Sequence, residues 1–136
     1  MLDRIDHIAI AVEDLDAALA MYQSLFELEA AHREYIKDFD VDIATFTIGN
    51  TEIELLEGRS QDSPIRKFVR KSGPGLHHIA FAVDDIRKVL ARLKAEGVRL
   101  IDETPRRGKG NSLVAFVHPA STQNVLYELV QMDSSI

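Results

Sequence analysis

Alternating large apolar and small side chains mark two stretches of the chain with almost the same pattern. Residues 7–12 read His-Ile-Ala-Ile-Ala-Val, and residues 78–83 read His-Ile-Ala-Phe-Ala-Val. Because successive side chains of a β-strand point to opposite faces, each stretch places its His on one face with two alanines. The pattern predicts two strands that pack a bulky face on a helix and leave room for a ligand beside His7 and His78.

The similarity continues beyond these two strands. Residues 6–19 and 77–90 share seven identities in fourteen positions at a constant offset of 71. Near the end of each half, Ile53-Glu54-Leu55 is matched by Tyr127-Glu128-Leu129 at an offset of 74. A repeat this dense predicts a duplicated structural module.

Each His strand is followed by apolar residues at helical spacing, after Asp14 in the first half and after Asp84 or Asp85 in the second. Residues 29–38 have no clear period and predict a loop or irregular edge. Further strands are predicted at residues 41–48, 51–56, 98–101, 113–118 and 125–130. The expected fold is α+β, with two tandem βαβββ modules that form a curved mixed sheet around a metal-binding cavity.

The predicted boundaries follow from these elements. We expect a single domain over residues 1–136, with a first module at 3–57 and a second at 75–131. Residues 58–74 form a helical linker, in which Ser63 is the expected N-cap and Pro64 the first helical residue. The halves are too small to be stable separately, so we expect them to fold together.

Composition excludes several classes of protein. The net charge of −6 argues against nucleic acid as a partner, and no apolar run approaches the length needed to cross a membrane. The N-terminus does not resemble a signal peptide, so we expect a cytoplasmic protein. With no cysteine, any metal must be held by His, carboxylates and water.

The repeated residues His7, Glu54, His78 and Glu128 are candidate metal ligands. An isolated His is usually a core residue, and Glu54 could instead face solvent, but the repetition favours a shared site. Two imidazoles and two carboxylates suit a divalent ion such as Co, Ni, Zn or Mn. Such an ion can polarise a carbonyl and stabilise an enolate, while a carboxylate beside it carries the proton.

A basic loop at residues 105–111 contains Arg106 and Lys109. Its amides and cationic side chains could bind phosphates, although it does not open a helix as a dinucleotide-binding loop does. The alternative is an ordinary solvated surface.

Several segments together resemble the vicinal-oxygen-chelate superfamily and, within it, the methylmalonyl-CoA epimerase family. They are residues 6–12, 51–56, 62–65, 75–81, 95–103, 118–119 and 125–129. The resemblance implies metal ligands at His7, Glu54, His78 and Glu128. It also implies interconversion of (2R)- and (2S)-methylmalonyl-CoA by proton transfer through a metal-stabilised enolate.

The resemblance also implies catalytic roles. Glu128 is the expected ligand and proton-transfer base, and Asp42 a second base found in some members. Glu54 is a candidate catalytic residue on chemical grounds, since two carboxylates on opposite sides of a planar enolate could remove the proton from one face and return it on the other. Gln123 lies in a loop expected to meet the thioester, where the family usually has a glycine pair. The expected partners are an acyl-CoA substrate and a second copy of the chain.

Three alternatives share the scaffold. A lactoylglutathione lyase (glyoxalase) would act on a glutathione hemithioacetal with a similar ligand set. A metal-free binding protein would sequester a small molecule without ligands for an ion. A ring-cleaving dioxygenase resembles the scaffold with two His and one carboxylate on iron, usually in a longer chain.

Overall fold

The computed structural model describes residues 1–132. The strands are β1 (Leu2–Ala11), β2 (His32–Ile36), β3 (Val41–Ile48), β4 (Thr51–Gly58), β5 (Gly75–Val83), β6 (Arg106–Arg107), β7 (Ser112–Val117) and β8 (Tyr127–Met132). The helices are α1 (Leu15–Phe26), α2 (Pro64–Ser72) and α3 (Ile86–Ala95). Each half has the order βαβββ, so the predicted α+β fold of two modules is confirmed. The last four residues of the predicted domain, 133–136, lie outside the described residues.

The chain divides into two compact units. The first comprises residues 7–77, and the second comprises residues 1–6 with the residues from His78 onward. The strand order is β2-β3-β4-β1 in the first half and β5-β8-β7-β6 in the second. The outer strands of each half are antiparallel, whereas β1 pairs with β4, and β5 with β8, in parallel. The two halves therefore repeat the same mixed topology.

Helices α1 and α3 each cover the bulky face of their own strands. In the first unit Leu15 packs with Ala44, Phe46 and Leu55. In the second unit the equivalent cluster is formed by Val83, Ile86, Val89, Leu90, Ala115, Val117 and Leu129. Asp14 and Asp85 cap these helices by accepting hydrogen bonds from the amides of Ala17 and Lys88, at 3.0 and 3.1 Å.

The linker helix α2 packs on the opposite face of the first unit. Its residue Ile65 joins a cluster of Ala9, Ala11, Ile36, Val41, Ile43 and Leu56. Gly58 permits this close approach, because a Cβ there would lie 2.5 Å from Ser63 Oγ and 2.6 Å from the Arg66 amide nitrogen. Ser63 occupies the predicted N-cap position, although its side chain makes no capping hydrogen bond. The space expected beside the alanines of β1 is thus filled by α2.

Two predictions of secondary structure are wrong. The segment 29–38 contains β2, which is regular because its backbone pairs with β3 from His32 to Ile36 despite its polar sequence. The segment 98–101 is not a strand and makes only one bridge, between Leu100 and Val117. The pairing of this segment with β7 stops there because the Asp102 carboxylate, rather than a backbone carbonyl, accepts the Phe116 N–H at 2.9 Å.

Within residues 1–132, no helix combines the length and the apolar character needed to span a bilayer. The longest, α1, has 12 residues.

Candidate metal centre

The first unit brings His7 and Glu54 together on one face. Strand β1 runs parallel to β4 with Ala9 opposite Glu54, so His7, two residues before Ala9, points to the same side as Glu54. His7 Nε2 lies 3.5 Å from Glu54 Oε1, and both side chains are about 5% exposed. The alternation of β1 thus produces a buried imidazole–carboxylate pair.

The second unit repeats this arrangement with His78 and Glu128. Ala80 lies opposite Glu128 in the parallel pair of β5 and β8. His78 Nε2 is 2.9 Å from Glu128 Oε1, with side-chain exposures of 6% and 8%. The Phe116 ring packs edge-on against the imidazole, with 5.1 Å between the ring centroids. We call the face that carries each pair the ligand face of its unit.

The donor chemistry of each pair fits a divalent ion. Burying a carboxylate is costly unless a hydrogen bond, an opposite charge or a metal compensates for the lost hydration. Imidazole nitrogen and carboxylate oxygen are established ligands of Zn, Co, Ni and Mn. Each unit therefore has two buried donors of the right type.

Asp42 lies away from the ligand face. In β3, Thr45 is the residue opposite Glu54, and Asp42 is three positions earlier, which places its side chain on the other face. There the Asp42 carboxylate accepts hydrogen bonds of 2.6 and 3.1 Å from the Arg59 guanidinium. This geometry does not support the predicted role of Asp42 as a base, because Ile43 occupies the ligand-face position of that strand.

A network of exposed polar groups surrounds Arg59. Its guanidinium lies 3.5 Å from the centre of the Tyr35 ring. The hydroxyls of Ser60 and Tyr35 both donate to Asp40, and these hydrogen bonds hold the pKa of the Asp40 carboxyl below its usual value. The same contact raises the pKa of Tyr35, because the neighbouring carboxylate favours the protonated phenol. The network connects the start of β3 to the chain that follows β4.

The predicted substrate-binding residues all lie in the second unit, outside the buried pair. Arg106 is on the two-residue strand β6, opposite Val114 of β7. Lys109 is in the following turn, where its carbonyl accepts a 2.7 Å hydrogen bond from the Ser112 hydroxyl. Gln123 and the next residue, Asn124, have φ angles of 56° and 72°. This left-handed backbone is easiest for glycine, which explains why a glycine pair would suit the same turn.

Sequence analysis missed one repeated contact. The first helical amide of α1, at Leu15, donates to Glu57 Oε1 at 2.6 Å, and that of α3, at Ile86, donates to Gln131 Oε1 at 2.7 Å. Glu57 and Gln131 are separated by 74 residues, the offset that also relates Glu54 to Glu128. The repeat therefore contained a signal for these positions, although a Glu matched with a Gln is easily overlooked.

Comparison with known proteins identifies the family. Residues 6–116 match the Glyoxalase/Bleomycin resistance protein/Dioxygenase superfamily. The chain belongs to this superfamily. Its paired βαβββ modules and its two His–Glu pairs are thus features of a superfamily member rather than of an unrelated duplicated fold.

Several relatives within the superfamily are methylmalonyl-CoA epimerases. The ethylmalonyl-CoA/methylmalonyl-CoA epimerase of Cereibacter sphaeroides is 37% identical, with 97% of this chain and 100% of that protein covered. The uncharacterized protein YqjC of Bacillus subtilis is 38% identical, with 96% and 93% covered. A variant of the Streptomyces coelicolor methylmalonyl-CoA epimerase, in complex with 2-nitronate-propionyl-CoA, superposes with a TM-score of 0.94 at 37% identity, with 98% and 97% covered. The resemblance to the epimerase family is confirmed.

Proposed function

We propose that this protein is a metal-dependent epimerase that interconverts (2R)- and (2S)-methylmalonyl-CoA. The observation that carries the proposal is the repeated buried pair, His7 with Glu54 and His78 with Glu128, at equivalent register in two modules. Relatives that cover nearly the whole chain and are named as epimerases support the same reaction.

We further propose that all four side chains, His7, Glu54, His78 and Glu128, hold one divalent ion. Co, Ni, Zn and Mn all accept this donor set. When bound, such an ion supplies a Lewis acid that polarises the thioester carbonyl and makes the neighbouring C–H more acidic. The buried His–Glu contacts support this assignment, because imidazole and carboxylate are already paired and largely withdrawn from water in each unit.

Proton transfer is assigned to the two glutamates. Epimerisation requires removal of the proton at C2 and delivery of a proton to the opposite side of the planar enolate. Glu128 is the proposed base on one side, and Glu54 is the proposed carboxylate on the other. Asp42 is not included, because its carboxylate is bound to Arg59 on the far face of β3.

The proposed substrate is an acyl-CoA thioester with a carboxyl group on C2. One solved relative is described as methylmalonyl-CoA epimerase in complex with methylmalonyl-CoA, at 37% identity and a TM-score of 0.94. Arg106, Lys109 and Gln123 remain the proposed contacts to the substrate. The predicted homodimer and cytoplasmic location stay predictions.

Solvent deuterium exchange tests the function directly. The protein is incubated with methylmalonyl-CoA in D₂O, and deuterium at C2 is followed by NMR or mass spectrometry. We expect catalysed exchange with inversion of configuration. Absence of exchange, with turnover of the methylglyoxal–glutathione hemithioacetal, would assign the protein as a lactoylglutathione lyase instead.

Metal content tests the second part of the proposal. We expect protein purified without added ion to contain a transition metal, and His78→Ala to contain much less. No metal in either protein, together with no exchange activity, would favour a metal-free binding protein of the same fold.

A further inference from the structure

Asp102 joins two parts of the second unit that sequence analysis treated separately. It lies in the segment between α3 and β6, and its side chain is only 10% exposed. Asp102 Oδ2 accepts the Phe116 N–H at 2.9 Å, and Asp102 Oδ1 lies 3.1 Å from Arg106 Nε. One carboxylate therefore binds both a backbone amide of β7 and the guanidinium of the basic loop.

The amide that Asp102 binds belongs to a residue of the candidate site. Phe116 lies opposite Glu128 in the antiparallel pair of β7 and β8. Its ring packs against the imidazole of His78 at 5.1 Å. Asp102 thus helps to fix the position of β7 at Phe116. The ring of Phe116 contacts His78, and its backbone lies opposite Glu128.

Arg106 is on the same face of the sheet as Phe116 and Glu128. It lies opposite Val114, which is two residues before Phe116 and so points to the same side of β7. The side chain of Arg106 is 41% exposed, whereas that of its partner Asp102 is nearly buried. A guanidinium held at Nε by a fixed carboxylate keeps a defined orientation, and its planar fork suits carboxylate or phosphate oxygens.

We propose that Asp102 is a positioning residue that orients Arg106 at the outer end of the ligand face of the second unit, where the guanidinium binds an oxyanion of the substrate. The oxyanion is either the free carboxylate of the acyl group or a phosphate of coenzyme A. This inference rests on the proposed function, since it takes the substrate to be an acyl-CoA. It also gives Asp102 a role separate from metal binding and proton transfer.

The test compares Asp102→Asn, Arg106→Lys and a matched control, Glu103→Gln, in the full-length protein. Glu103 is the adjacent residue, and its carboxylate pairs with Lys94 at the surface. We expect Asp102→Asn and Arg106→Lys to raise KM for methylmalonyl-CoA by about tenfold, the size expected for a lost or misaligned charge-assisted hydrogen bond, with little change in kcat. Glu103→Gln should leave both constants unchanged.

A truncated substrate distinguishes the two sources of the oxyanion. Methylmalonyl-pantetheine keeps the acyl carboxylate and lacks the phosphates of coenzyme A. A KM effect that persists with this compound assigns Arg106 to the carboxylate, and an effect that disappears assigns it to a phosphate. An unchanged KM for methylmalonyl-CoA in both variants would overturn the inference, as would a parallel loss of kcat and thermal stability without a KM effect.

Calorimetric binding of methylmalonyl-CoA separates this inference from the proposed function. If the wild-type protein binds the thioester but does not exchange its proton, the proposed function fails. The role of Asp102 is then supported if Asp102→Asn and Arg106→Lys weaken binding, and refuted if they do not. A wild-type protein that does not bind the thioester would refute both.

Discussion

The two modules are alike at their His–Glu pairs and differ two residues further along the same face. The equivalent rows are Ala11, Leu56 and Ile43 in the first module and Ala82, Val130 and Val114 in the second. In the first module this row is covered by α2 through Ile65. At its edge strand, the row of the first module ends at Glu34, whose carboxylate is 2.9 Å from His32. The row of the second module ends at Arg106, which pairs with Asp102.

This difference shows which parts of a duplicated fold can diverge. The His–Glu pairs and the contacts of Glu57 and Gln131 depend on one backbone geometry, and both modules keep them. The outer end of the ligand face has no such common constraint. One module closes it with the apolar face of α2, and the other places a cation there, so a nearly symmetric fold acquires two chemically different ends.

The largest expected effect distinguishes the two glutamates. Glu128→Gln should lower proton exchange by about 10²- to 10⁴-fold, the usual contribution of a general base. Glu54→Gln should cost less, because Glu128 is the base proposed to remove the C2 proton, whereas a Gln at position 54 still offers an oxygen to the ion. The rate of deuterium incorporation at C2 measures both effects, with metal content as the control. Equal losses would mean that the two modules share the proton transfer evenly.

The next effect concerns the helix that covers only the first module. Gly58→Ala places a Cβ 2.5 Å from Ser63 Oγ and 2.6 Å from the Arg66 amide nitrogen, so α2 must shift. We expect a loss of about 1–3 kcal/mol in the free energy of unfolding. The equivalent change in the second module, Met132→Ala, should cost less than about 0.5 kcal/mol, because Met132 is 56% exposed. Chemical denaturation measures both, and similar losses would contradict the distinction.

A smaller effect tests the contacts that the modules share. Glu57→Ala and Gln131→Ala each remove the acceptor for a first helical amide and should cost about 1 kcal/mol. Glu57 should matter more, because its carboxylate also interacts with the positive end of α1. Glu57→Gln is the control that keeps the acceptor and removes only the charge. A larger loss from Gln131→Ala than from Glu57→Ala would argue against this electrostatic difference.

The smallest effect is a pH dependence that differs between the units. Hydrogen bonds from Ser60 and Tyr35 lower the pKa of Asp40, and a hydrogen bond from Lys94 lowers that of Glu103. A carboxyl whose pKa is lower in the folded state stabilises the protein above its unfolded pKa, here near 3.8 for Asp40 and 4.5 for Glu103. That contribution to stability is lost as the pH falls through the pKa of the carboxyl in the folded state.

Asp40→Asn and Glu103→Gln should therefore lower Tm slightly at pH 7 and converge with the wild-type Tm in acid. The Glu103→Gln effect should also shrink in 1 M salt, because the Lys94 pair is an exposed ion pair. The Asp40→Asn effect should persist in salt, because the principal donors to Asp40 are neutral hydroxyls. Thermal scans from pH 3 to 7 at two salt concentrations measure both, and a salt-sensitive Asp40 effect would contradict this reasoning.

The internal repeat in the sequence was enough to predict the main strands, the faces of their side chains and the starts of the helices. The alternation around His7 and His78 predicted which side of each strand carries the imidazole, because side-chain direction in a strand is a local property. The offset of 74 residues likewise placed Glu54 and Glu128 in corresponding strands. The helix starts were also readable, at Asp14 and at Asp84 or Asp85, since a side chain that caps an amide three residues away depends only on nearby sequence. The structure selects Asp85 for the second.

Tertiary structure decided what depends on strand pairing and on distant partners. Pairing with β3 made β2 a strand despite its polar sequence, and the Asp102 carboxylate ended the pairing that would have extended residues 98–101. The register of β3 against β4 turned Asp42 away from Glu54 and toward Arg59. A single residue of register reverses the face of every side chain in a strand, and no local pattern specifies that register. For the same reason, the covering of Ala9 and Ala11 by α2 could be seen only once the chain was folded.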